Sequence, residues 1–299
     1  MIKRFLQVLC MALIALPGLV AAQAAPAGAQ PVCATCHQAA YEQISKSRHG
    51  VKADARTPFG SGLDCVACHG NADAHLKDPA KAKPALNWKT ASAPEKNAPC
   101  ESCHKGSSRI HWKGSAHDRS DVACVDCHKV HAAKDQVLVA QTQAGVCFDC
   151  HKNVRAETMK TSTHPMQTGW MPCSSCHAPH GSVAPAQMVK QTINQTCFTC
   201  HADKRGPYLW QHLPVQESCV NCHTPHGSNV APLLVARAPM LCQQCHESGS
   251  HRGRQYSGSN LPGGGGSASG TSNVANGSCL ACHGKIHGSN HPSGYVFFR

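Results

Sequence analysis

The fold of this chain is decided by a segment that runs from Cys147 to Ser182 and reads CFDCHKNVRAETMKTSTHPMQTGWMPCSSCHAPHGS. It contains the pattern Cys-x-x-Cys-His twice, with one histidine between the two copies and another three residues after the second copy. A second segment follows the same plan from Cys197 to Ser228 and reads CFTCHADKRGPYLWQHLPVQESCVNCHTPHGS. This recurrence indicates a chain built from repeated pairs of motifs.

The Cys-x-x-Cys-His motif occurs ten times and uses every cysteine except Cys10. Chance would give about 0.1 copies at this content of cysteine and histidine. In chain order, the first to tenth motifs contain Cys33, Cys36 and His37; Cys65, Cys68 and His69; Cys100, Cys103 and His104; Cys124, Cys127 and His128; Cys147, Cys150 and His151; Cys173, Cys176 and His177; Cys197, Cys200 and His201; Cys219, Cys222 and His223; Cys242, Cys245 and His246; and Cys279, Cys282 and His283. Consecutive motifs form five motif pairs.

This spacing suits the covalent attachment of haem. Residues three apart lie on one face of a helical turn, so two thiols can bond the two vinyl groups of a haem while the following imidazole binds the iron. Zinc sites and disulfide frameworks also use cysteine pairs, but neither needs a histidine after every pair. Thioredoxin-like pairs would need intervening βαβ patterns. The sequence therefore predicts ten covalent haems c, with the motif cysteines as thioether positions and the motif histidines as proximal ligands.

Twelve histidines lie outside the motifs, two more than ten irons need as second axial ligands. In each motif pair one free histidine precedes the second motif and another follows it. This shared phase predicts as distal ligands His49, His75, His117, His131, His164, His180, His212, His226, His251 and His287. His111 and His291 are left over, and His291 could replace His287 because it lies four residues further on.

The positions of these histidines also constrain the pairing. A histidine three residues after a proximal histidine cannot reach around the porphyrin, so His131, His180 and His226 are expected to ligate a haem other than the one attached just before them. With two histidines on each iron no axial position is open, and the lack of methionine ligands favours low potentials. We therefore expect an electron carrier. The alternative from another class, a multihaem reductase, needs an iron with an open or replaceable ligand.

The composition agrees with an interior that haem fills. Aromatic residues make up only 5% of the chain, so the side chains that normally dominate burial are scarce. The short intervals between motifs leave room for a turn of helix and a loop. The predicted fold class is a multihaem cytochrome c that is mostly coil with short α-helices and little or no sheet, in an elongated architecture of quasi-repeating haem pairs. The Gly/Ser-rich stretch 257–278 is predicted to be a flexible loop.

The N-terminus predicts export. Lys3 and Arg4 precede an apolar stretch from Phe5 to Ala22, and a small-x-small cleavage site follows at Ala24. We expect a signal peptide over 1–24, a decahaem domain over 25–299, and no transmembrane segment in the mature chain, because no later stretch approaches about 18 apolar residues. The net charge of +12 becomes +10 without Lys3 and Arg4. Because each ferric haem adds one net negative charge, we interpret the basic residues as partners of propionates, not of nucleic acid.

Several phrases resemble the MtrA/MtoA family of decahaem outer-membrane cytochromes, close to its DmsE and PioA types. They are DVACVDCHKVHAAKD from Asp121, CHAPHGS from Cys176, KRGPYLWQH from Lys204, RAPMLCQQCH from Arg237 and KIHGSNHPSG from Lys285. The resemblance covers nearly all of the mature chain. It implies a periplasmic cytochrome associated with the outer membrane, enclosed by a β-barrel porin and placed between a periplasmic or inner-membrane cytochrome and an extracellular multihaem cytochrome.

The resemblance also implies a role in extracellular electron transfer, such as iron reduction or iron oxidation. The residues by themselves leave a second arrangement open, a soluble periplasmic shuttle with no porin partner.

Overall fold

The computed structural model describes residues 30–238, 240–246 and 279–298. The predicted signal peptide, the Gly/Ser-rich stretch 257–278 and His251 lie outside the described residues. Within the described ranges, short α-helices are joined by irregular segments. The α-helices, α1 to α11 in chain order, are Gln38–Ser45, Val66–His69, Asp73–Lys77, Ala93–Cys103, Ala116–Arg119, Cys124–Cys127, Ala140–Phe148, Lys152–Glu157, Ile193–Cys197, Leu213–Glu217 and Met240–Gln243.

The remaining regular structure consists of single 3-10 turns and isolated bridges. The 3-10 helices are Val32–Thr35, Arg48–Gly50, Ser107–Arg109, Gln136–Leu138, Cys173–Ser175, Pro185–Gln187, Ala202–Lys204, Cys219–Asn221, Cys279–Ala281 and Gly294–Val296. Four isolated antiparallel bridges join Ser162 to Ser228, His177 to Met188, Trp210 to Ser289 and His223 to Leu234. The described part of the chain has no extended strand, so the prediction of coil with short helices and little sheet is confirmed.

Helix α4 illustrates how local chemistry delivers a motif. Ser92 and Glu95 form a capping box, in which the backbone N–H and the hydroxyl of Ser92 each donate to the Glu95 carboxylate at 2.7 Å. Such a box satisfies N–H groups that have no partner inside the helix. The helix ends at Cys103, because His104 has φ −89° and ψ 65°. The third motif therefore occupies the last turn of α4 and its C-terminal boundary.

Few side chains are fully buried. Among the described residues the buried apolar ones are Ala34, Phe59, Ala72, Ala123, Ala144, Met166 and Phe297. An equal number of polar residues is buried, namely Asn97, Ser115, Thr158, Asn194, Thr196, Ser228 and Ser289. A side-chain core normally consists of large apolar groups. Side chains of this part of the chain therefore do not fill the interior by themselves.

Hydrogen bonds connect the second, third, fourth and fifth motif pairs in chain order. The N–H of Ala116 donates to Oε1 of Gln187 at 3.2 Å, which joins the second pair to the third. Ser162 and Ser228 exchange backbone bonds of 2.8 and 2.9 Å between the third and fourth pairs. The N–H of Leu209 donates to Oδ1 of Asn290 at 2.7 Å between the fourth and fifth pairs. Neighbours in sequence are thus neighbours in space.

Across the described ranges, no helix combines the length and the apolar character that crossing a bilayer requires.

Candidate functional site

All ten motifs form the same turn. In each motif the backbone N–H of the histidine donates to the carbonyl of the first cysteine at 2.8–3.0 Å. This bond between residues four apart is that of an α-helical turn, and it places both cysteines of the motif on one side. The local geometry therefore presents two thiols and one imidazole together, as covalent haem attachment requires.

Nine of the ten motif histidines face a second histidine from elsewhere in the chain. The ring centroids are 6.0–6.3 Å apart in all nine cases. The pairs are His37 with His75, His104 with His49, His69 with His131, His151 with His117, His128 with His180, His201 with His164, His177 with His226, His246 with His212, and His223 with His287.

The separation of the paired rings fits one metal ion between them. Two metal–imidazole bonds of about 2 Å, added to about 1 Å from each ring centroid to its nitrogen, give about 6 Å. The interplanar angles range from 12° to 90° while the distance stays constant. Direct ring packing would tie the distance to the angle, because stacked rings approach more closely than T-shaped ones. Ligands on opposite sides of an iron keep their separation at any angle, so the residues fit a haem iron.

The nine partners all belong to the set that the sequence predicts as distal ligands. The tenth member of that set, His251, lies outside the described residues. His287 rather than His291 faces His223. The exposed side chains of His111 and His291 take none of the nine positions.

The facing histidines cross between neighbouring motif pairs. The histidine inside one pair faces the first motif histidine of the next pair, as in His49 with His104, His117 with His151, His164 with His201 and His212 with His246. In the other direction, the histidine that trails a pair faces the second motif histidine of the preceding pair, as in His131 with His69, His180 with His128, His226 with His177 and His287 with His223. Two imidazoles thus link every two consecutive pairs.

The start of the chain departs from this rule. His75 trails the first pair, which has no predecessor, and it faces His37 of its own pair. His131, His180 and His226 each face a motif histidine other than the one just before them, in agreement with the sequence-based expectation. The sequence did not predict which motif histidine each would face, because that depends on contacts between residues that are far apart in the chain.

The heptapeptide CHAPHGS contributes to three neighbouring sites. His177 faces His226, and His180 faces His128. Between them, the carbonyl of Pro179 accepts a hydrogen bond from Nδ1 of His117 at 2.8 Å. In the equivalent CHTPHGS segment, the carbonyl of Pro225 accepts from Nδ1 of His164 at 2.8 Å. A donating Nδ1 fixes the tautomer and leaves Nε2 free to bind metal.

The glycine of each heptapeptide allows this close approach. A Cβ atom on Gly181 would lie 2.2 Å from the carbonyl oxygen of His111, and Gly181 has φ +98°. A Cβ atom on Gly227 would lie 2.1 Å from the carbonyl oxygen of Glu157. Only glycine lets two backbone segments meet at such distances. The HGS sequence therefore docks the third pair against the second and the fourth pair against the third.

The Nδ1 atoms of the paired histidines have two kinds of acceptor. Backbone carbonyls of Ala82, Ala186 and Pro232 accept from His75, His177 and His223 at 2.9–3.0 Å. Carboxylates replace them at two places. Oδ2 of Asp135 lies 2.6 Å from Nδ1 of His128, and Oε2 of Glu157 lies 3.0 Å from Nδ1 of His226. The motif pattern predicted neither carboxylate, because nothing in the spacing marks them.

The thiols of successive motifs approach one another along the chain. Within each pair the first cysteines interact, as in Cys33 with Cys65, Cys100 with Cys124, Cys147 with Cys173, Cys197 with Cys219 and Cys242 with Cys279. Between pairs the second cysteines interact, as in Cys68 with Cys103, Cys127 with Cys150, Cys176 with Cys200 and Cys222 with Cys245. Consecutive attachment points are therefore adjacent from the first motif to the tenth.

Buried amide side chains hold the two turns of a pair together. Oδ1 of Asn97, three residues before the third motif, accepts from the N–H of Cys124 at 2.7 Å. Oδ1 of Asn194, three residues before the seventh motif, accepts from the N–H of Cys219 at 2.7 Å. In the third pair Oε1 of Gln143 accepts from the N–H of Ser174 at 2.9 Å. Each bond ties the start of a second motif to the helix that carries the first.

Burial keeps several of the paired imidazoles in the form that binds metal. Desolvation is the largest cause of a lowered pKa at His69, His104, His131, His180, His212 and His287. A lowered histidine pKa favours the neutral ring. Because the neutral imidazole is the ligand, these side chains need not lose a proton at neutral pH to bind iron.

Comparisons with known proteins identify the same chemistry. The doubled CXXCH motif family matches residues 164–206 and 212–251. A family described as cytochrome c-type protein NrfB-like matches residues 65–143. The multiheme cytochrome MtrA of Shewanella baltica is 44% identical over 280 residues, which cover 92% of this chain and 82% of the relative.

Proposed function

The chain belongs to the MtrA family of multihaem c-type cytochromes, and we propose that it carries electrons along ten covalent haems, each closed by two histidines. The observation that carries this proposal is the set of nine histidine pairs at one constant separation. When bound, haem supplies an iron that takes up and releases one electron.

The residues of the chain would bind the haems and fill the ligand positions of their irons. The motif thiols would anchor each haem, and the paired imidazoles would bind its iron. The carbonyl and carboxylate acceptors at Nδ1 fix the orientation of the rings. No axial position is left for a substrate, so we propose a carrier and not a reductase. By the same pattern we propose His251 as the second ligand of the tenth haem, together with His283. Both ligands of that haem would then come from the last pair, as His37 and His75 both come from the first.

We propose that the electrons pass between the periplasm and the cell exterior. A signal peptide over 1–24 would export the chain. A polar, loop-rich chain cannot face lipid directly, but the polar lumen of a many-stranded β-barrel could enclose it. The partners would then be an outer-membrane porin, a periplasmic or inner-membrane cytochrome, and an extracellular multihaem cytochrome. The ligand set is the same throughout, so it favours neither direction of flow.

The haem count and the spin state test the carrier proposal. The purified protein should give ten haems per polypeptide in a pyridine haemochrome assay, and ferric spectra should show low-spin iron. The reduced protein should not bind carbon monoxide rapidly. Far fewer than ten haems, mostly high-spin iron, or stoichiometric binding of carbon monoxide at one haem would contradict the proposal, and the last result would favour the reductase.

Membrane association tests the conduit. Extraction of the outer membrane should recover the protein in a stable complex with a β-barrel porin, and proteoliposomes that contain the complex should pass electrons from an internal reductant to an external acceptor. A protein that fractionates with the periplasm, without any porin, would instead support the soluble shuttle.

A further inference from the structure

Two paired histidines, His128 and His226, donate from Nδ1 to carboxylates, whereas five others donate to backbone carbonyls, namely His75, His117, His164, His177 and His223. His128, His177 and His223 are the second motif histidines of the second, third and fourth pairs. Nδ1 of His177 and of His223 donates to the carbonyl of the ninth residue that follows, at Ala186 and Pro232. Nδ1 of His128 donates instead to Asp135, seven residues on. Among these three pairs, the second thus differs from the other two by having a charged acceptor at this site.

The loop that follows the fourth motif explains why a carboxylate replaces the backbone carbonyl as the acceptor of His128. In the third and fourth pairs the second motif is followed by an HGS sequence, and the loop packs on the preceding pair. The loop then returns to the second motif histidine, with which it forms an isolated bridge. The second pair continues with HAAKD and has Asp135 directly before the 3-10 helix Gln136–Leu138. The Asp135 carboxylate accepts from Nδ1 of His128 at 2.6 Å and from the N–H of Lys129 at 3.2 Å. Two bonds hold it in place.

The second carboxylate comes from the neighbouring pair. Oε2 of Glu157 lies 3.0 Å from Nδ1 of His226, the histidine opposite His177. The side chain of Glu157 is 44% exposed, whereas that of Asp135 is 16% exposed. Water screens the more exposed charge more strongly. The Asp135 bond is also the shorter of the two.

We propose that Asp135 lowers the reduction potential of the fourth haem and that Glu157 lowers that of the sixth. The fifth haem would then lie between two haems of low potential. This inference rests on the proposed function, because it takes the facing histidines as axial ligands. A carboxylate acceptor makes the imidazole a more basic ligand, which stabilises ferric over ferrous iron. Reduction adds one electron from an adjacent haem and moves no proton, since the N–H···O bond persists in both states.

The expected magnitudes follow from burial and bond length. Charge-assisted bonds are about twice as strong as neutral ones. Asp135→Asn should raise the equilibrium constant for reduction of one haem by up to about tenfold, equivalent to about 59 mV for one electron. Glu157→Gln should raise that of a different haem by a smaller factor, about two- to threefold, because its carboxylate is exposed.

Potentiometric titration and electron paramagnetic resonance of the holoprotein test the inference. Asp126→Asn is the matched control, because Asp126 lies inside the fourth motif and accepts only from the backbone, at the N–H of Ala123, 2.8 Å away. Asp135→Asn should raise one potential and shift one low-spin ferric signal. The control should leave that signal unchanged and move the potential less. Asp135→Glu, which retains the charge, should stay close to the parent protein.

The outcomes separate the inference from the function on which it rests. Equal shifts in Asp135→Asn and Asp126→Asn, or an unchanged ferric signal in Asp135→Asn, would overturn the inference while ten low-spin haems still supported the carrier. If Asp135→Asn does not load ten haems, Glu157→Gln decides, and an unchanged potential there would overturn the proposal. Loss of low-spin iron in the parent protein would instead remove the proposed function itself.

Discussion

The first motif pair and the interior pairs place their facing histidines differently. His75 faces His37 within its own pair, whereas His180 of the third pair faces His128 of the second. Both arrangements bring two imidazoles to opposite sides of one gap, so each could supply two ligands to one iron. The two arrangements differ in whether the facing histidine also connects two motif pairs. In the interior a histidine that we propose as a ligand also connects two pairs, as His180 does, whereas His75 makes its contact within one pair.

This difference suggests how the described part of the chain, which has few buried apolar side chains, keeps its order. Each interior pair sends one imidazole forward and one backward, so attachment of haem in one pair would help to position the next. The predicted consequence is that the structural effect of a ligand substitution depends on whether the ligand crosses between pairs.

The largest effect is expected when a crossing ligand is removed. His180→Ala and His75→Ala should each convert one iron to a high-spin form that binds carbon monoxide. His180→Ala should also loosen the second pair from the third and lower Tm by about 5–10 °C, near the upper limit of ordinary single substitutions. His75→Ala should lower Tm by about half as much. Carbon monoxide titration and thermal unfolding of the holoproteins would measure both, and equal losses of Tm would contradict the distinction.

A smaller effect is expected at the glycine that docks one pair on another. Gly181→Ala would place a methyl group 2.2 Å from the carbonyl oxygen of His111 at φ +98°, and we expect it to cost about 2 kcal/mol of unfolding free energy. Gly114 is the matched control, because it has φ +77° but nothing within 4 Å of its Cβ position. Gly114→Ala should cost about 1 kcal/mol, from the backbone conformation alone. Similar costs in chemical denaturation would show that the close approach is not important.

Bonds within a pair should have effects of about the same size or smaller. Asn97 is 1% exposed and its Oδ1 accepts from the N–H of Cys124, so Asn97→Ala should cost about 1–3 kcal/mol by leaving that N–H without its partner. Asn97→Asp retains an acceptor and should recover much of the loss. Gln143→Ala, at a less buried position, should cost about 0.5–1 kcal/mol. Denaturant titrations of the three variants check the order, and a loss in Asn97→Asp equal to that in Asn97→Ala would contradict the bond.

Sequence reasoning reached the parts of this structure that depend on local spacing. The Cys33–His37 turn and its nine equivalents need only a bond between residues four apart, and the phase of His75 or His180 within a pair is visible in the sequence. The coil-rich fold follows from short intervals and few aromatics, and it is confirmed.

The sequence predicted that the trailing histidines reach another haem, but the partner of each histidine and the acceptors at Nδ1 could not be predicted, for a physical reason. His117 and Pro179 are 62 residues apart, and His226 and Glu157 are 69 residues apart. The packing of the HGS loop on the preceding pair decides which of these residues come into contact. Asp135 is nearer to its partner, but an aspartate in a loop has many local acceptor roles, and its position beside Nδ1 becomes evident only from the folded loop.

The smallest effect is expected from the histidine that the ligand pattern leaves over at the end of the chain. His291 is exposed and its Nδ1 accepts from the N–H of Ser293 at 3.1 Å, while His287 faces His223 and is partly buried. His291→Ala should therefore leave the haem count, the spin state and the binding of carbon monoxide unchanged, and change unfolding by no more than about 0.5 kcal/mol. His287→Ala, measured in parallel, should open one iron to carbon monoxide. The reverse result, with a high-spin iron in His291→Ala and none in His287→Ala, would move the distal ligand four residues along the chain.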